Sequence, residues 1–137
     1  MTTVESNVRI IDRKRDEVYN FLSDISNLER VAPPGKVKEF TINGESFSFN
    51  IEGIGELNVR LSEKIPSESL LFESEGRAPF RFSFRVKLNS PEPSVTEMRL
   101  EMNAALNPFM KTMLGEYLQS GIDKAAEELS LKLSRHV

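Results

Sequence analysis

The feature that most constrains this chain is its C-terminal segment, which predicts one long helix. Asn107 is a favourable N-cap, Pro108 occupies the first helical position, and no proline follows before about Ser134. At about 1.5 Å per residue this helix is roughly 40 Å long, whereas a compact chain of 137 residues has a radius of gyration of only about 14 Å. The helix must therefore cross the whole molecule.

Apolar side chains in this segment recur at spacings of three and four residues, so one stripe of the helix is expected to be buried. The segment also contains Gly115 and Gly121, each of which lowers the stability of the helix by about 1 kcal/mol relative to alanine. We interpret both glycines as tolerated. The expected buried stripe consists of Met110, Met113, Leu114, Tyr117, Leu118, Ile122, Ala125, Leu129 and Leu133.

Upstream of the helix, alternating apolar and polar residues predict about seven β-strands. Polar residues occupy the second face of each strand, which indicates an antiparallel sheet covered on one side only. The expected inward residues are Val4, Ser6, Val8 and Ile10; Leu57, Val59, Leu61 and Ile65; Leu70 and Phe72; Phe80, Phe82, Phe84, Val86 and Leu88; and Thr96, Met98, Leu100 and Met102.

Two short helices are predicted between the first and second strands. Asp12 is expected to cap the first of them, and residues 27–31 form a second turn before the prolines at 33 and 34. The buried face of the first helix is expected to be formed by Val18, Phe21, Leu22 and Ile25.

The Asn-Gly dipeptide at 43–44 predicts a two-residue hairpin turn, which fixes the register of its two strands. Phe40 then lies opposite Phe47, and Lys38 lies opposite Phe49. This register turns Phe40, Phe47, Phe49 and Ile51 inward together.

This order of elements resembles the helix-grip fold of the START/SRPBCC superfamily, which includes lipid-transfer proteins and polyketide cyclases/dehydratases. The resemblance covers essentially the whole chain. It is carried locally by residues 11–24 (IDRKRDEVYNFLSD) and by residues 106–109 (LNPF), and it is strongest to small single-domain bacterial members. The resemblance implies an α+β helix-grip domain over residues 1–137: a curved antiparallel sheet wrapped around the C-terminal helix, with a cavity between them.

Geometry also favours a cavity, because a helix about 10–12 Å wide cannot fill the concave face of a seven-stranded twisted sheet. Phenylalanine and methionine at inward positions suit an apolar or aromatic ligand. The expected lining consists of Phe49, Leu57, Val59, Phe72, Phe82, Phe84, Met98, Leu100, Met102, Met110, Met113, Leu114 and Tyr117. The loops expected at its rim are 33–35, 76–79 and 89–94.

Composition excludes several other classes of function. Eighteen basic and 21 acidic residues are interleaved without a basic block, which argues against nucleic-acid binding. No apolar run reaches the length of a membrane span, and residues 1–13 lack the pattern of a signal peptide, so we expect a cytoplasmic protein. Cysteine is absent and the one histidine is His136, so neither a metal site nor a cofactor is expected.

Acid–base catalysis has few candidates in this sequence. Glu63 has inward parity on its strand, Tyr117 lies on the expected buried stripe, and Lys38 shares a face with Phe49. Each residue also has a structural explanation, so no catalytic residue is assigned.

The sequence therefore favours a protein that binds a small hydrophobic ligand such as a lipid, an isoprenoid or a polyketide-like aromatic molecule. One alternative is a polyketide cyclase/dehydratase-like enzyme that uses Glu63 or Tyr117. A second alternative is a protein-interaction module of the chaperone- or ribosome-associated type, which requires an exposed apolar patch. A homodimer also remains open.

Overall fold

The computed structural model describes residues 2–31, 37–52, 55–76 and 80–136. Its elements follow the predicted order, and the N-terminal strand is divided into two pieces. They are β1 (Thr2–Glu5), β2 (Arg9–Ile11), α1 (Arg15–Ser23), α2 (Ile25–Val31), β3 (Val37–Asn43), β4 (Ser46–Ile51), β5 (Gly55–Ile65), β6 (Ser69–Ser74), β7 (Phe82–Glu92), β8 (Val95–Ala104) and α3 (Pro108–His136).

All eight strands form one curved antiparallel sheet, which confirms the predicted fold class. The order across the sheet is β1-β8-β7-β6-β5-β4-β3, and β2 also pairs with β8. Consecutive strands from β3 to β8 are therefore neighbours, and the N-terminal strands close one edge beside β8. Among the described helices, none is both long and apolar enough to cross a bilayer.

The three helices pack against different parts of the sheet. The main contacts of α3 are with β1, β2, β8 and α2, whereas α1 lies against β6, β7 and β8, and α2 lies against β3. The most tightly packed part of the core is where α1 and the C-terminal half of α3 meet the sheet. Its fully buried side chains include Ile11, Val18, Leu22, Leu70, Met98, Leu100 and Leu133.

The N-terminal strand departs from its expected parity because it contains one extra residue. Val4 pairs with Met102 as a regular strand requires, but Arg9, rather than residue 8, pairs with Met98. An extra residue in one strand reverses the faces of all residues after it. The expectation that Val8 and Ile10 face inward is therefore wrong: both are exposed, and Ile11 is buried instead.

The turn of the first hairpin lies one residue later than predicted, which shifts the pairing of its two strands by two residues. The turn is formed by Gly44 and Glu45, so Asn43 pairs with Ser46 and Ile42 pairs with Phe47. A bulge follows at Glu39, whose φ of 56° lies in the left-handed region.

Lys38 consequently pairs with Asn50 on the outer face of the sheet, so its predicted place opposite Phe49 is wrong. Phe40 nevertheless points inward, because it lies on the turn side of the bulge and keeps the parity of Ile42, which pairs with Phe47. Its ring stacks on the rings of Phe47 and Phe49, with centroids 5.3 and 6.3 Å away.

The cap of the first helix also differs from the prediction. Lys14, not Asp12, is the N-cap residue of α1, and its side chain makes no capping hydrogen bond. The backbone N–H of Asp12 donates instead to Oγ of Ser134, 3.3 Å away on α3. This bond fastens the start of α1 to the end of α3.

Candidate functional site

The apolar core is incomplete beneath the first turns of α3. Phe84 and Met102 are paired across β7 and β8 and face inward, yet both are only half-buried. The next inward pair along the same strands, Val86 and Leu100, is buried. Other inward apolar residues share the exposure of Phe84 and Met102. This half-buried set consists of Phe40, Phe49, Ile51, Phe84, Met102, Leu106, Met110 and Leu114.

Hydrogen bonds fix the orientation of α3 above this region. The side-chain amide of Gln119 donates to the backbone carbonyl oxygen of Glu5 on β1 at 2.8 Å, and Nε of Arg9 donates to Oγ of Ser130 at 3.5 Å. One flank of the helix therefore lies along β1 and β2. Met110 is nine residues from Gln119, which at about 100° per residue places it on the opposite flank. That flank points away from β1 and β2.

Neither β4 nor β5 is a main packing partner of α1, α2 or α3. A row of phenylalanine rings lies on the concave face of the sheet beside β5. The rings of Phe47 and Phe49 are stacked, with centroids 5.9 Å apart. The rings of Phe47 and Phe72 are close to perpendicular, with centroids 6.0 Å apart, and the centroids of Phe72 and Phe84 are 6.4 Å apart. Together with Phe40, which stacks on Phe47, the row extends from the edge strand β3 to β7, with rings from β3, β4, β6 and β7.

Gly115 reports the space beneath α3. It precedes Ile122 by seven residues and so lies within about 20° of it on the helix, and Ile122 is buried. A Cβ atom added at Gly115 would nevertheless meet no heavy atom of the surrounding protein within 4 Å. Within the described part of the chain, no side chain or strand therefore packs against the Cα of Gly115 on this side of the helix.

The backbone of this arrangement is shared with proteins of known structure. Truncated norcoclaurine synthase from Thalictrum flavum superposes with a TM-score of 0.81 at 9% identity, covering 99% of this chain and 94% of the synthase. The protein MLL2253 from Mesorhizobium loti superposes with a TM-score of 0.71 at 20% identity over 99% of both chains. The chain therefore has the helix-grip fold that these structures share.

A third helix-grip structure is the di-domain ARO/CYC BexL from the BE-7585A biosynthetic pathway. Its TM-score is 0.74 at 18% identity, and the alignment covers 96% of this chain but 46% of BexL. No protein-family model and no curated protein sequence matches this chain. Sequence identities of this size show a shared fold and do not show a shared activity.

The structure divides the predicted lining residues of this helix-grip site into three groups. Phe49, Phe84, Met102, Met110 and Leu114 belong to the half-buried set. The second group is buried within the core, and among its members Met98 and Leu100 lie in the most tightly packed part. This group consists of Leu57, Val59, Phe72, Phe82, Met98 and Leu100.

The third group consists of Met113 and Tyr117, for which the predicted burial is wrong. Their exposed fractions are 64% and 49%. In an i, i+4 row each residue is rotated by about 40° from the one before it, so the row that begins at Phe109 starts in solvent and reaches the core only at Leu133. Tyr117 therefore lies at the margin of the half-buried set.

Glu63 does not face the site. The ladder between β5 and β6 shifts by one residue between Leu61 and Glu63, so Glu63 pairs with Leu71 on the outer face. There its carboxylate accepts a hydrogen bond from the Arg85 guanidinium at 3.3 Å. The inward parity predicted for Glu63 is therefore wrong.

Sequence reasoning also missed members of the half-buried set. Ile51 pairs with Gly55 at the end of β4, and Leu106 lies in the short connection from β8 to α3. The alternation in β4 already indicated that Ile51 faces inward with Phe47 and Phe49. Leu106 lies outside any strand or helix, so no periodicity pointed to it.

The loops expected at the rim are only partly described. Residues 33–35 and 77–79 lie outside the described residues. The third loop, residues 89–94, belongs to the β7–β8 hairpin next to the pair formed by Ile11 and Thr96, both of which are fully buried. It therefore lies at the tightly packed part of the molecule, away from the half-buried set.

No group of three or more acidic or histidine side chains within the described ranges is arranged to hold a metal ion. An open depression of about 490 Å³ lies on the outer side of α3, between Glu116 and Glu127. All six residues that line it belong to this one helix, so it is a surface feature and cannot enclose a ligand. The half-buried set remains the candidate site.

Proposed function

We propose that this protein binds a small hydrophobic molecule between the concave face of β4, β7 and β8 and the first turns of α3. The observation that carries the proposal is that inward-facing apolar side chains are half-buried here, while the same strands are tightly packed two residues further on. Incompletely buried apolar surface inside a fold is the usual property of a ligand pocket.

The composition of the half-buried set supports an apolar ligand held mainly by burial. Three phenylalanines offer flat aromatic faces, and Met102 and Met110 can adapt to irregular shapes. Each Å² of apolar ligand surface removed from water contributes about 25 cal/mol, so a ligand of modest size would bind in roughly the micromolar range after ordering costs. Lipids, isoprenoids and polyketide-like aromatics all meet this requirement.

Fold relatives are consistent with this ligand class. Norcoclaurine synthase from Thalictrum flavum has been solved in complex with dopamine and hydroxybenzaldehyde. BexL, named as an ARO/CYC protein, belongs to a biosynthetic pathway. We transfer from these relatives only the use of the fold to hold a small molecule, since the identities do not exceed 18%.

The enzymatic alternative loses support at its proposed acid–base residues. Glu63 lies on the outer face of the sheet, and Tyr117 is half exposed at the margin of the site. A general acid or base must reach the reacting atom within hydrogen-bond distance. Glu63 cannot do so from the opposite face, so the binding function is favoured.

Two helical glycines provide a matched test. Gly115→Leu adds a side chain on the side of α3 that carries the buried Ile122, whereas Gly121→Leu adds the same side chain at an exposed position of the same helix. We expect G115L to weaken the binding of a fatty acid, a farnesyl-type alcohol or a hydroxylated anthraquinone by at least about tenfold, because leucine occupies the ligand's volume. Isothermal titration calorimetry with this panel measures the effect.

The G121L variant should bind whichever panel member the wild type binds, with unchanged affinity. Leucine has a higher helix propensity than glycine, so a change in propensity should not lower the melting temperature of either variant. Equal affinities for G115L and the wild type would place the ligand elsewhere.

A further inference from the structure

The outer face of α3 carries apolar side chains that the fold does not use. Phe109 is 72% exposed, Met113 is 64% exposed and Leu131 is 44% exposed. Exposed apolar residues scattered singly need no explanation, but these three lie on one face of one helix. The convex face of the sheet differs, because ion pairs such as Lys87–Glu101 at 2.9 Å cover it.

The exposed residues of this face follow a symmetric pattern. Successive members are separated by four, three, four, four, three and four residues, which keeps them within about 60° of one direction on the helix. The pattern reads the same from either end and has Ser120 at its centre. Its members are Phe109, Met113, Glu116, Ser120, Lys124, Glu127 and Leu131, all exposed.

We propose that this face pairs with the same face of a second copy of the chain, with the two α3 helices antiparallel and a two-fold axis at Ser120. A two-fold interface requires a surface that is complementary to itself, and the symmetric pattern meets that requirement. Phe109 then lies against Leu131 of the second copy, so both exposed apolar ends of the face become covered. The contact extends over about 33 Å of helix.

Charge complementarity supports the antiparallel register. Glu116 and Lys124 lie four residues on either side of Ser120, so each faces the opposite charge of the second copy in this arrangement. Within one chain the two residues are about 12 Å apart along the helix and cannot form an ion pair with each other. A parallel pairing would instead place Glu116 beside Glu116, which is repulsive.

Ser120 has the size that a crossing point requires. Small side chains let helix axes approach to about 8 Å, the lower end of the usual range. The interface uses the side of α3 turned away from the sheet, so it neither covers nor needs the half-buried set. The inference is therefore independent of the proposed ligand function.

Single cysteines test the register directly, because the wild-type chain contains no cysteine. Under mild oxidation we expect Ser120→Cys to form a disulfide-linked dimer. A mixture of the Glu116→Cys and Lys124→Cys variants should cross-link to each other, whereas neither variant should cross-link alone, because a disulfide requires Cα atoms within about 7 Å. Ser62→Cys, on the outer face of β5, is the matched control that should remain monomeric.

Charge reversal tests the same register in solution. By analytical ultracentrifugation, Glu116→Lys and Lys124→Glu should each weaken dimerisation by about tenfold or more, and the double variant should restore it. The proposal is overturned if the wild type stays monomeric up to about 1 mM. It is also overturned if Glu116→Cys cross-links alone, or if the double variant is weaker than both single variants.

Discussion

At the scale of single residues, three bulges decide which side chains belong to the site. The extra residues lie between Glu5 and Arg9, at Glu39, and between Leu61 and Glu63. Each one reverses the alternation between the residues on its two sides. An alternating sequence predicts which residues share a face of a strand, but it does not show where an extra residue is inserted. The predicted faces of Ile10, Lys38 and Glu63 are wrong for this reason.

The position of Glu63 leads to a specific prediction. Replacing Glu63 by Gln should leave ligand affinity unchanged and should alter the free energy of unfolding by less than about 1 kcal/mol, because its pair with Arg85 is largely exposed. Urea denaturation and calorimetric titration measure the two quantities. Phe84→Ala, which removes an inward ring from the half-buried set, is the comparison that should weaken binding. A loss of binding in E63Q would show that the carboxylate acts in the site after all.

At the scale of elements, α3 could be predicted closely because local chemistry defines its start. Asn107 was expected to be the N-cap, and its Oδ1 accepts a hydrogen bond from the backbone N–H of Met110 at 2.8 Å. Its length follows from the absence of proline after Pro108. Which flank of α3 is buried does not follow from local chemistry, because packing against the neighbouring strands determines how the helix is rotated about its own axis. Tyr117 and Met113 were misplaced for this reason.

The cap gives a prediction for the whole element. Asn107→Ala should lower the free energy of unfolding by about 1 kcal/mol, because it leaves the N–H of Met110 without its partner, and Asn107→Ser should retain most of the stability. Thermal unfolding followed by circular dichroism measures both variants. Equal melting temperatures for the alanine variant and the wild type would mean that tertiary packing alone fixes the start of α3.

At the scale of the whole molecule, the order of strands and helices was sufficient to predict the helix-grip fold. The location of the incomplete part of the core was not predictable, because Leu100 and Met102 are both inward apolar residues of one strand and look equivalent in sequence. Only the path of α3, fastened to β1 and β2 by Gln119 and Arg9, distinguishes them. The half-buried set is therefore a property of tertiary geometry.

The most direct test of the proposed ligand site is native mass spectrometry of gently purified protein, followed by solvent extraction and mass identification of whatever is released. The wild type and G121L should carry one small apolar molecule per 15.6 kDa chain, and G115L should not. Bare chain masses for all three proteins, together with no thermal shift across the lipid, isoprenoid and aromatic panel, would contradict the assignment of the half-buried set as a binding site.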